Sequence, residues 1–132
     1  MADALYPIGK AAILSGGIQW KSGGHNFKVS LIDTGVYTYS AAHDFYDDLS
    51  GVIDTSGNLA SLTYALGQAD AADITLPAVT IGDTVGAIVI WRDSTVAGTS
   101  ELIAYIDSAV GLPLETNNGD ILIQWDTYIF AL

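Results

Sequence analysis

Residues 84–91 read Thr-Val-Gly-Ala-Ile-Val-Ile-Trp, an uncharged and almost wholly apolar run closed by Arg92 and Asp93. It is far shorter than the roughly 20 apolar residues of a membrane-spanning helix, and it is rich in β-branched side chains. It therefore reads as a strand covered on both faces. Such a strand needs neighbours on either side and apolar layers above and below it, so this stretch sets the fold class. Downstream, residues 102–107 (LIAYID), 120–125 (DILIQW) and 127–132 (TYIFAL) are further short apolar runs, and Asn118-Gly119 is a turn pair. Upstream, residues 26–33 (NFKVSLID) alternate, with Phe27, Val29 and Leu31 on one face and Lys28 and Ser30 on the other. Between residues 50 and 83 the apolar pieces at 52–53, 59–66 and 74–76 are separated by Gly, Asp, Asn and Pro77, which predicts three brief strands joined by turns. One short helix is expected over 43–49: Phe45 and Leu49 stand four apart, acids occupy its first turn, and Gly51 lies just beyond it. The expected class is mainly β, a single-domain antiparallel β-sandwich or barrel with one short helix and an N-terminal arm.

Composition bounds the rest. The chain has 132 residues, half of them apolar, enough for one domain with a core. Four Lys and Arg stand against fifteen Asp and Glu, a net charge of −11. Nucleic acid is bound largely through Lys and Arg, as are anionic membranes, so neither is an expected partner. The absence of cysteine excludes disulfides, thiolate metal sites and cysteine nucleophiles. The first residues lack the basic and long apolar pattern of a secretory signal, so export by that route is not expected.

The charge is uneven. Residues 1–28 carry three lysines against one aspartate, a net of +2, whereas residues 29–132 carry Arg92 against fourteen acids, a net of −13. Residues 1–24 also hold Leu5, Tyr6, Ile8 and Trp20, and Gly-rich breakers at 15–17 and 22–24 bracket Ile18-Gln19-Trp20. They read as an N-terminal arm or edge segment, with 25–132 as the β domain. In the arm reading Leu5, Tyr6, Ile8, Lys10, Trp20 and Lys21 meet a partner, and residues 25–132 fold without them. The alternative is an edge strand completing the chain's own sheet.

A search for reactive constellations leads first to His43, Asp44, Asp47 and Asp48. Their spacing is neither that of a zinc-binding H-E-x-x-H helix nor that of a calcium loop, and an Asp-rich turn serving structure accounts for them. His25 follows a Ser-Gly-Gly turn and reads as a turn residue. No G-x-S-x-G, G-x-G-x-x-G or phosphate-cradling P-loop occurs. Asp107, Asp120 and Asp126 sit at strand ends, where a calcium cage competes with ordinary turn chemistry. Trp20, Trp91, Trp125, Tyr105, Tyr128 and Phe130 would serve a carbohydrate platform if they lined one open face; their apolar contexts favour a core or a subunit interface. No catalytic residue, metal or cofactor is expected, and no enzyme.

Several of these stretches carry a resemblance. Residues 86–93 (GAIVIWRD), 102–107 (LIAYID) and 118–126 (NGDILIQWD), with 27–32 (FKVSLI) and 39–49 (YSAAHDFYDDL), are similar in order and pattern to small virion proteins of tailed bacteriophages. The likeness runs from about residue 25 to 132 and is weakest over 56–72, where this chain is shorter. Ser40 and Ala41 stand where the family often has Pro, and Ser108 follows Asp107 where the family has Phe-Gly. The resemblance implies a capsid decoration or cement protein on the capsid exterior. It would bind the major capsid protein and associate with itself, commonly as a trimer. A tail or fibre component is the related alternative, and a carbohydrate-binding β-sandwich the unrelated one.

Overall fold

The computed structural model describes residues 3–125 and 127–132. The apolar run divides at Gly86. Thr84–Val85 (β7) pairs with Leu114–Glu115 (β10), and the chain continues as Ala87–Asp93 (β8) in the middle of a five-stranded antiparallel sheet. Asn26–Ile32 (β2) flanks β8 on one side and Leu102–Ile106 (β9) on the other. Val52–Thr55 (β3) and Ala4–Leu5 (β1) are the edges, in the order β1-β9-β8-β2-β3. β2 pairs with β8 along its whole length, from Asn26 opposite Asp93 to Ile32 opposite Ala87. This register puts the alternating Phe27, Val29 and Leu31 on the same face as Ile88 and Ile90.

That face is covered by three small antiparallel ladders. Thr63–Ala65 (β4), Gln68–Asp70 (β5) and Phe130–Ala131 (β12) form one. Ile74–Leu76 (β6) pairs with Ile121–Ile123 (β11), and β7 with β10 is the third. Ala69, Leu76, Val85 and Phe130 from these ladders join the core of the central sheet. The result is a mainly β, sandwich-like domain. On the opposite face Ile32, Val89, Trp91, Leu102 and Tyr105 are buried beneath Tyr6 and Tyr37, with Tyr39, Tyr46 and Leu49 packed against them. The Trp91 indole N–H donates to Ser30 Oγ at 2.9 Å, and that oxygen lies 2.9 Å from Thr55 Oγ1. A polar chain thus satisfies the one hydroxyl that β2 turns into this layer.

Two expectations change. The α-helix is Pro7–Leu14 (α1), not 43–49. Proline at its first turn is favourable, and Gly9 lets the helix lie directly on β9: a Cβ at residue 9 would meet Leu102 O and stand 2.8 Å from Ile103 Cα. At 43–49 the backbone pairs across the chain instead. Tyr46 N donates to Ser100 O and Leu102 N to Asp44 O, leaving only a single 3₁₀ turn at Tyr46–Asp48. Phe45 is half-buried; it is the Tyr46 ring that meets Trp91, with centroids 4.3 Å apart. Residues 50–83 hold four short strands, β3 to β6, rather than three.

Of the two readings of residues 1–24, arm or edge segment, the described part has the geometry of the second. β1 pairs with β9, Tyr6 N donates to Ile103 O at 2.9 Å, and Tyr6, Ile18 and Trp20 are buried. No helix among the described residues is long and apolar enough to cross a membrane. Each large apolar side chain buried is worth about 1.5–3 kcal/mol against a total stability of about 5–15 kcal/mol. Deletion of residues 1–24 is therefore expected to abolish the cooperative thermal transition seen by circular dichroism. A sharp transition in the truncated chain would show that the segment is dispensable to the core.

Candidate functional site

The polar cluster around His43 is organised from the core outward. Tyr6 Oη lies 2.8 Å from Tyr37 Oη, which lies 2.8 Å from His43 Nδ1. Burial raises the ionisation of the Tyr6 phenol far above that of a free tyrosine, with the hydrogen bond to Tyr37 adding to it. Burial likewise raises Tyr37 and Tyr105. The Tyr6 and Tyr37 hydroxyls are hydrogen-bonding groups held neutral, and they tie the N-terminal segment to the 33–50 connection. On the outer side Asp44 N–H donates to Asp48 Oδ2 at 2.9 Å, and this bond holds the Asp48 carboxyl below its usual range. Hydrogen bonding to Asp48 has the opposite effect on Asp44. The arrangement is that of a turn stabilised by its own aspartates.

The remaining polar candidates also have structural partners. His25 Nδ1 accepts from Gln19 N–H at 3.0 Å, closing the glycine-rich loop. Asp120 Oδ1 accepts from Ala78 N–H, and Asp126 lies outside the described residues. No three metal-binding side chains converge among the described residues. Nor do the tryptophans line one face. Trp20 and Trp91 are buried in cores on opposite sides of the central sheet. Trp125 is half-buried, its indole N–H donating to Ala72 O.

The strongest candidate for contact with another molecule is an open apolar groove of about 400 Å³. Trp20, Ala69 and Phe130 form its floor. Trp20 packs against Phe27 at 4.4 Å and edge-on to Phe130 at 5.2 Å, and its indole N–H is shared between Thr63 O and Asp70 O. One side chain thereby joins the N-terminal segment to the β4–β5 hairpin. Ile13, Gln19 and Lys21 make one wall; Tyr64, Leu66 and Gln68 make the other, with Leu132 at the end.

No protein-family model matches this chain, and no curated protein matches it. Its chemistry is therefore read from its own residues. Of the six side chains assigned to partner contact from sequence, Trp20 and Lys21 line the groove, and Leu5 lines a second, smaller depression with Ala104 and Tyr128. Tyr6 is wholly buried, and Ile8 packs into the tyrosine-lined core. Lys10 is exposed on α1, one helical turn from Ile13.

Sequence reading passed over Tyr64, Leu66 and Leu132. The signal was at the hairpin tip. Ala65 pairs with Gln68, so Leu66-Gly67 is a two-residue turn, and both residues have positive φ, +53° and +76°. Such a turn favours Asn-Gly. Here a leucine takes the strained position with its side chain 98% exposed. An unfavourable conformation combined with an exposed apolar group marks a position that folding alone does not explain. Leu66→Asn is expected to stabilise the dilute, monomeric protein by about 1 kcal/mol, read as a rise in Tm of a few degrees. A fall in Tm would mean that Leu66 stabilises its own fold.

Proposed function

We propose that this chain is a structural protein of a tailed-phage virion, a decoration or cement protein that binds the outside of the capsid shell and acts by binding alone. The observation that carries the reading is the groove: a domain with eleven excess negative charges sets exposed Tyr64, Leu66 and Leu132 around one apolar depression. Exposed apolar surface of this kind marks sites of protein contact. The assignment to a phage head rests on the resemblance over residues 25–132. Four of its five quoted stretches fall on β2, β8, β9 and β11, and the fifth, 39–49, lies in the connection that covers the tyrosine-lined core. Three of these are central strands of the five-stranded sheet, so the likeness concerns how the scaffold is built. In this reading the partners are the major capsid protein and further copies of the chain, with three copies as the expected assembly.

A cement protein stabilises its shell through mass action, because it binds the assembled lattice and not its dissociated subunits. The test is to mix the purified protein with heads of the phage that carries its gene, pellet the heads, and image them by electron microscopy. Co-sedimentation in a fixed ratio, added density on the outer shell and a higher temperature of head disruption are expected. Density confined to the tail, or no binding to either, would overturn the reading.

A further inference from the structure

The groove has a counterpart elsewhere on the same chain, opposite to it in shape and in charge. After β9 the chain turns through residues 108–113, Ser-Ala-Val-Gly-Leu-Pro, before entering β10. Leu112 N–H donates to Ala109 O at 3.2 Å, closing the turn around Gly111, which has φ +95°. The base of the loop is fastened. Ser108 Oγ lies 2.8 Å from both carboxylate oxygens of Asp3, and the backbone N–H groups of Asp107 and Ser108 donate to Asp3 Oδ1. At its apex Val110 is fully exposed. Valine is poorly suited to turns, and a held loop that presents one to water is a knob without a socket of its own.

The charges around the two features are complementary. Arg92 pairs with Glu101, and Lys28 with Asp93 at 3.2 Å. The other two cations, Lys10 and Lys21, have no ion pair among the described residues. Lys21 stands on the groove wall, and Lys10 on the helix that supplies Ile13 to it. The loop lies in the acidic part of the chain, with Asp3 at its base and exposed Glu115 just beyond it. A groove meeting a groove would set Lys21 against Lys21, and a loop meeting a loop would set acid against acid. Only groove against loop brings opposite charges together.

We propose that the groove receives the 108–113 loop of a second copy of this chain, so that copies join head to tail. The contact rests on the self-association in the function proposed above and supplies its geometry. The occupant seats Val110 against Trp20, Leu66 and Phe130, while Lys21 approaches the acidic flank of the loop. Knob and socket lie on different surfaces of each copy, so the contact is heterologous, and repeated contacts close into a ring when the rotation between copies permits. The strain at Leu66 then has a purpose, since it holds the groove's apolar lip out where the incoming loop reaches it. Lys21 steers the encounter, and the apolar apex supplies the hold.

The test uses the full chain in sedimentation velocity, with circular dichroism verifying the fold of each variant. The wild-type protein is expected to self-associate at micromolar concentration. Val110→Asp and Leu66→Asp should each weaken association by about a hundredfold or more, since either one places a carboxylate in the apolar contact. Mixed together, the two variants retain one intact loop and one intact groove. They should form a one-to-one heterodimer that grows no further, a result no groove-to-groove contact yields. An entirely monomeric wild type, unchanged association of Val110→Asp, or no heterodimer on mixing would each overturn the proposal. Head binding by the wild-type protein separates this contact from the decoration reading: a wild type that binds heads yet stays monomeric leaves the latter standing while the loop-in-groove contact fails.

Discussion

β8 is buried on both faces, and the rest of the molecule is organised around that constraint. Ile88 and Ile90 point into one core while Ala87, Val89 and Trp91 point into the other. Burial on both faces requires two covering layers, and a chain of 132 residues has little length from which to make them. Residues 63–85 and 114–131 together supply most of one layer as short ladders. The second is assembled from segments without regular structure of their own, chiefly the 33–50 connection, and from Tyr6 at the start of α1. This economy explains why residues 4–24 are part of the fold. Without Tyr6 and its neighbours the layer over Val89 and Trp91 would be open to water.

The same economy shapes the surface. On the hairpin side, cover ends at β4, an exposed edge strand, and at the strained turn that follows it. Trp20 crosses from the N-terminal segment to this hairpin and shares its indole hydrogen between two carbonyls, so the groove has a fixed floor and an open top. The groove is thus a seam where two covering pieces meet but do not close. Its apolar lining continues the core outward, which makes it suited to receiving a small apolar protrusion.

How much of this was legible in the sequence depended on the range of the forces involved. The strands β2, β8 and β9 were legible because alternation and continuous apolar runs are local signs of burial. Helix α1 was not. Gly9, required by close approach to β9, weakens the helical pattern, and the long-range partner that justifies it, Leu102, is 93 residues away. The error at 43–49 is the reverse case. The spacing of Phe45 and Leu49 is locally helical, but backbone pairing with Ser100 and Leu102 binds the same amide groups. The positive N-terminal segment looked separable because charge asymmetry is visible in sequence and the destination of Tyr6 is not. The groove draws on residues 13–21, 64–69 and 130–132, and no local pattern unites three such distant pieces. Only Leu66-Gly67, a leucine where a tight turn favours asparagine, was a readable sign of it.

The central claim is that one cooperative unit covers both faces of β8 and includes the N-terminal segment. Native-state amide hydrogen exchange tests it most directly. The Tyr6 amide, bonded to Ile103 O, and the Ile18 amide, bonded to Ala12 O, are to be compared with the amides of Val89 and Ile90. The account predicts that all four exchange with one common free energy, that of global unfolding. Tyr6 and Ile18 exchanging through a much lower-energy local opening, while β8 stays protected, would contradict it.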